Sequence, residues 1–145
     1  MKTFLFCLLL STTSQTTGGQ ATKPTANALN FLKTYDGKFS YKVQLFKKRA
    51  FTQRLERLVG PKRYAFLKRN WHIDMPMVYK NDQFVAEACQ RHSCGFTDFM
   101  VVYDFNTDEM FAGIRIDRVP KTYAEKKGKL PPVLTTWRVD KYIKK

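Results

Sequence analysis

The sequence predicts an α+β fold in which helices come first and an antiparallel β-meander follows. Three observations carry that prediction. Apolar residues recur at helical spacing up to about residue 70, and from Pro76 the period changes to two. Gly60-Pro61 divides the helical part. Two turn triplets, Lys80-Asn81-Asp82 and Asn106-Thr107-Asp108, divide the alternating part. Helices followed by runs of strands are the pattern of an α+β domain.

Taken in order, the chain opens with Met1-Lys2-Thr3, then Phe4-Leu5-Phe6-Cys7-Leu8-Leu9-Leu10, then small and polar residues. A charge, a short apolar run and a small-residue region make a secretory signal peptide, expected over residues 1–21. Seven apolar residues are too few to span a bilayer. Residues 22–46 form a lead-in, mobile at first and then, over 30–46, compatible with either a short helix or an extended stretch. Residues 47–145 hold one α+β domain, which 145 residues in all can supply with a real core.

Within that domain, Phe51, Leu55, Leu58 and Val59 give residues 47–59 an apolar helical stripe with basic residues between. Gly60 stops this helix and Pro61 suits the first turn of the next, running to about Asn70 and burying Tyr64, Ala65 and either Phe66 or Leu67. Strands follow at 77–80 and 83–89, the second with Phe84, Ala86 and Ala88 on one face and Gln83, Val85 and Glu87 on the other. Residues 97–105 are apolar on both faces, as in a central strand. Residues 109–117 alternate, with Met110, Ala112, Ile114 and Ile116 together. A basic loop is expected after Pro120, and Leu130-Pro131-Pro132 opens a short helix holding Val133, Leu134 and Trp137.

The formal net charge of +14 conceals a reversal. Residues 22–80 carry a net +11, residues 81–119 a net −4, and residues 120–145 a net +6. Export changes the cysteine count as well. Once Cys7 leaves with the signal, Cys89 and Cys94 have only each other, and in an oxidising compartment they are most simply a disulfide. A ring of six residues is worth only about 2 kcal/mol by loop entropy, so its job is local shape.

That ring, Cys89-Gln90-Arg91-His92-Ser93-Cys94, carries His92 at its tip and joins two neighbouring strands. Gly95 after it can take a positive φ and let the chain turn back. Four readings compete. The ring can be a structural staple with an incidental solvated histidine. It can be a metal site of Cys89, His92 and Cys94, which an oxidised pair excludes; no metal or cofactor is expected. It can be catalytic, but a Cys–His nucleophile needs a free thiolate, and a nuclease built on His72 and His92 must overcome the apolar setting of Trp71-His72-Ile73. It can be a plug, a pinned loop inserted in another protein's cleft, where a closed ring loses little freedom on binding.

Here a resemblance becomes specific. Cys89-Gln90-Arg91-His92-Ser93-Cys94-Gly95, preceded by Val85-Ala86-Glu87-Ala88, resembles the signature loop of the Ivy family, periplasmic inhibitors of vertebrate (c-type) lysozyme. Phe51-Thr52-Gln53 through Tyr64-Ala65-Phe66-Leu67-Lys68 is similar to that family's helical segment. Residues 100–103 and 110–114 are similar to its two strands after the loop, and Trp137 falls near a family tryptophan. The resemblance implies a non-enzymatic inhibitor, periplasmic or secreted, whose loop histidine sits against the two catalytic carboxylates of lysozyme. Carried over, His92 is the anchor and Cys89–Cys94 the clamp. The family's usual loop has Lys-Pro-His-Asp where this chain has Gln90-Arg91-His92-Ser93, so the aspartate contact is absent and Arg91 lacks proline's stiffness.

The partner so implied is a c-type lysozyme, or else a bacterial lytic transglycosylase. Animal lysozymes are typically basic, so a docking face is expected on the acidic 81–119 segment. The basic segments suit an anionic envelope polymer or a membrane surface, or equally a solvated surface that only aids solubility. A competing reading is a cationic envelope- or nucleic-acid-binding module whose ring is only structural, with nucleic acid the less favoured ligand.

Overall fold

The computed structural model describes residues 26–139, so the signal peptide expected over 1–21 lies outside the described residues. Helices α1 (Arg49–Val59) and α2 (Pro61–Asn70) meet at Gly60. Gly60 sits at φ 85° and ψ 154°, a region open only to glycine; its N–H closes α1 on the Glu56 carbonyl and its carbonyl accepts the Tyr64 N–H of α2. Pro61 takes the first helical position, where no N–H is needed.

The strands are β1 (Ile73–Asp74), β2 (Val78–Lys80), β3 (Gln83–Cys89), β4 (Asp98–Asp104), β5 (Glu109–Ile116) and β6 (Val119–Ala124). They form one antiparallel sheet in the order β1-β3-β4-β5-β6, with β2 also pairing with β3. The expected α+β class holds. Two hairpins turn on two residues each, Asn81-Asp82 (φ 51° and 54°) and Asp117-Arg118 (φ 51° and 68°). Positive φ at both central residues matches the twist of the flanking strands.

α1, α2 and a 3-10 helix (Ala26–Tyr35) cover one face of the sheet. Phe51, Leu55 and Leu67 pack there on Phe84, Ala86, Phe99, Val101, Tyr103, Met110 and Ala112. The stretch 30–46, open between helix and extended forms in the sequence, ends as 3-10 helix and turns. Leu29, Leu32, Tyr35 and Leu45 are buried in the same core. The short helix α3 (Pro132–Arg138) covers the opposite face, with Leu134 and Trp137 against Met100, Val102 and Phe111. β4 is therefore apolar on both sides because it is covered on both sides.

Three expectations change. The basic loop after Pro120 is strand β6, which pairs Pro120 with Arg115 and Tyr123 with Ala112. It is an edge strand, where a proline without an N–H is tolerated. Ala65 is exposed, and α2 instead buries Leu67 and Asn70. In α1, Arg54 is as buried as its apolar neighbours, with its guanidinium bonded to Asp108 and Glu125 at 2.6 Å each. The Tyr103 hydroxyl donates to the same Asp108 oxygen at 2.8 Å. This network locks α1 to the β4–β5 turn and to the end of β6.

Candidate binding loop

The ring occupies the β3–β4 connection. Cys89 ends β3 and is register partner to Asp98, the first residue of β4. Cys94 reaches back to Cys89 through a disulfide with the Cα atoms 5.0 Å apart, so the expected pairing is present. Between them the chain folds on itself. The Ser93 N–H donates to the Gln90 carbonyl at 2.9 Å, a β-turn with Arg91 and His92 at its centre. His92 lies at φ 62° and is exposed. Positive φ at the third turn residue is uncommon for a side chain with a Cβ, although histidine tolerates it better than most. The closing bonds are Gln90 N–H to Thr97 carbonyl at 3.0 Å and Thr97 N–H to Ser93 carbonyl at 2.8 Å.

Gly95 takes the positive φ expected of it, 87°. Its N–H donates to Asp98 Oδ1 at 2.7 Å, while Asp98 Oδ2 accepts from Arg115 Nη1 at 2.6 Å. Arg115 is the directly opposed residue on β5 and is only 1% exposed. Its Nη2 donates to the Trp137 carbonyl, and its guanidinium lies 4.6 Å from the centre of the Trp137 ring. A chain of contacts thus runs from α3 through β5 and β4 to the base of the ring. Sequence reasoning missed Asp98, Arg115 and Trp137 as its supports. The available signals were a carboxylate three residues after Gly95 and one cation inside an otherwise apolar strand.

His72 was expected in an apolar structural setting. It lies at the junction of α2 and β1 but is exposed, with its N–H on the Cys89 carbonyl at 3.3 Å. Its Nδ1 accepts the Arg91 N–H at 3.4 Å. A proline at that position has no N–H to give. Where the family loop has a stiff residue, this chain has a hydrogen bond to a neighbouring imidazole. That role does not suit a nuclease base free to take a substrate proton. Among the described residues, no group of three His, Cys, Asp or Glu could hold a metal ion.

The acidic docking face does not materialise around the ring. The register places Gln83, Asp104 and Glu109 together at one end of the sheet and Cys89, Asp98 and Arg115 at the other. Asp82, Asp104, Asp108 and Glu109 therefore sit at the end remote from the ring. Near the ring, Glu87 shares a pocket with Cys89 and Cys94, Asp98 is consumed by Arg115, and Asp117 shares its turn with Arg118. These three acids are matched by Arg91, Arg115 and Arg118.

Fold and loop together define an α+β protein that carries a short, covalently closed, histidine-tipped loop at one end of its sheet. Residues 50–142 match the family model described as inhibitor of vertebrate lysozyme (Ivy), and the chain belongs to that family. Members of this family are inhibitors and not enzymes, so membership implies lysozyme inhibition with lysozyme as the partner. No curated protein matches the chain, and no solved structure does.

Proposed function

We propose that this chain inhibits a c-type lysozyme by placing the Cys89–Cys94 ring in the catalytic cleft, with His92 against the two catalytic carboxyl groups. The observation that carries this reading is the posture of His92, exposed at φ 62° inside a disulfide-closed turn. A side chain held there gives up little conformational freedom on binding. A retaining glycosidase keeps a protonated acid and an ionised carboxylate about 5 Å apart, and lysozyme is a type case of that pair. An imidazole between them can donate to the ionised partner while its ring excludes sugar and water. Gln90, Arg91, Ser93 and Gly95 shape the loop around it.

Export to the periplasm, through a signal over residues 1–21, belongs to the same reading. The bond that closes the loop forms and persists in an oxidising compartment, and the enzyme to be met attacks the wall from outside.

The test is a panel of inhibition constants against c-, g- and i-type lysozymes and a lytic transglycosylase, with wild type and His92→Ala side by side. A desolvated central anchor is worth about 2 kcal/mol or more, so inhibition of the c-type enzyme weakens by about 30-fold or more. Equal constants for the two proteins would overturn the mechanism. Stronger inhibition of the transglycosylase would move the natural target to that enzyme.

A further inference from the structure

The helix-covered face of the sheet is left open past the N-terminal half of α2. Phe66, Ile114 and Tyr123 line a groove there of about 460 Å³, edged by Lys62, Arg63 and Lys121. The lining contains no carboxylate. Arg63 lies over the Tyr123 ring at 5.7 Å, so one cation is stretched along the apolar wall.

The outer lip of the groove is the β5–β6 turn. Ile116 and Val119, register partners flanking that turn, are 43% and 62% exposed. Phe96 adjoins them, 47% exposed, with the Arg118 guanidinium 4.0 Å from its ring centre and the Arg118 N–H on its carbonyl at 3.0 Å. Three large apolar side chains thus share this end with four cations and a single exposed carboxylate, Asp117 in the turn. Contiguous exposed apolar surface of this kind marks an interaction site.

We infer that this end of the β5–β6 hairpin is a peripheral docking surface for a membrane of anionic lipid. Val119, Ile116 and Phe96 enter the boundary between headgroups and acyl chains. Lys62, Arg63, Arg118 and Lys121 meet the lipid phosphates. Basic residues near an anionic leaflet and apolar side chains inserted below its headgroups add their effects. The cations repel a basic protein partner, and a hydrophilic polyanion has no use for the apolar floor. The surface adjoins the ring at the same end of the sheet, Phe96 donating its N–H to the Ser93 carbonyl at 2.9 Å. Membrane and lysozyme would thus engage neighbouring surfaces, and the inhibitor would be held at the layer it protects.

The experiment is co-sedimentation of the full chain with phosphatidylcholine vesicles, with and without phosphatidylglycerol. Dextran sulfate serves as a soluble polyanion. Binding is expected only to the anionic vesicles. Val119→Asp should lower it by roughly tenfold, since a buried valine is lost and a carboxylate added. The pair Lys62→Glu and Arg63→Glu should lower it by more than about tenfold. The same charge change at Lys47 and Lys48, outside the groove, should have a much smaller effect. Val119 is exposed, and an unchanged melting curve verifies that its variant folds. Failure to bind the anionic vesicles would overturn the proposal. So would equal losses from the two charge-reversal pairs, or binding of dextran sulfate with the same sensitivity to Val119→Asp.

Discussion

Asp98 and Arg115 face each other across β4 and β5, bonded at 2.6 Å and almost sealed from solvent, and the second oxygen of Asp98 holds the Gly95 N–H. One ion pair therefore joins the end of β5 to the start of β4 and, through Gly95, to the base of the His92 loop. A buried pair adds little over an apolar substitute, but removing one partner strands the other. Arg115→Met should cost about 3–5 kcal/mol in urea unfolding, because the Asp98 carboxylate is left buried without its cation. Asp98→Asn should cost a similar amount, because it strands the buried Arg115 guanidinium and turns an amide NH2 toward either Arg115 Nη1 or the Gly95 N–H, both donors. A loss from Arg115→Met below about 1 kcal/mol, the range of an exposed pair, would show that the two are not coupled as described.

The disulfide should matter far more to inhibition than to folding. Replacing Cys89 and Cys94 together by alanine should lower stability by only about 2 kcal/mol, the loop-entropy value for so small a ring. The inhibition constant should rise by more than that energy accounts for, since the free loop must be ordered on binding. Unfolding curves and inhibition assays on the same preparation test this. Equal effects on both would make the bridge a staple only.

Gly113 gives α3 its seat. A Cβ built there would overlap the Trp137 ring, with Cε3 at 2.8 Å and Cζ3 nearer still. Gly113→Ala should destabilise by about 1–3 kcal/mol through overpacking. It should also loosen the ring, because Trp137 is what Arg115 leans on. Tryptophan fluorescence should shift in the folded state. An unchanged spectrum and midpoint would contradict the packing.

Alkaline stability should report on the Arg54 network. Burial pushes the Tyr103 hydroxyl up to about 12, and its bond to the Asp108 carboxylate adds to the shift. A tyrosine raised above its unfolded value of about 10 binds its proton more tightly when folded. Its contribution is fully present below pH 10 and is lost as the pH rises toward 12. Tyr103→Phe should flatten the stability curve in that window. Urea midpoints from pH 9 upward decide it, and parallel curves for the two proteins would refute the assignment.

Acid stability should depend on Asp104. Burial opposes its charge, but hydrogen bonds from Gln83 and from the Thr107 and Asn106 N–H groups outweigh that and hold its carboxyl below the usual range. A depressed folded value stabilises above the unfolded value of about 3.9 and is lost as the pH falls through the folded one. Asp104→Asn should therefore be less stable at neutral pH, with the gap closing in acid. A gap that persists at the lowest pH would point to lost geometry instead of charge.

Much of this was legible in the residues. Gly60-Pro61 and the change of period placed α1, α2 and the central strands within one or two residues, because capping and alternation are local properties. The order of strands in the sheet was less legible, and β6 was missed. Its turn, Asp117-Arg118, lacks the glycine that advertises a hairpin, and it forms only because β5 offers an edge with which to pair. Arg54 was read as part of a basic helix face. Only its carboxylate partners from residues 108 and 125, distant in sequence, explain why it is inside.

By itself the sequence determined the α+β class, the pairing of Cys89 with Cys94, the placement of His92 at a strand connection, and the likeness to lysozyme inhibitors. Those follow from periodicity, cysteine arithmetic and a contiguous motif, none of which needs a third dimension. Tertiary structure alone decided what supports the ring and which charges surround it. Antiparallel register carried four of the acids in residues 81–119 to the far end of the sheet and brought Arg115 opposite Asp98. A charge total over a segment says nothing about a face, because a strand delivers its two ends to opposite sides of the molecule.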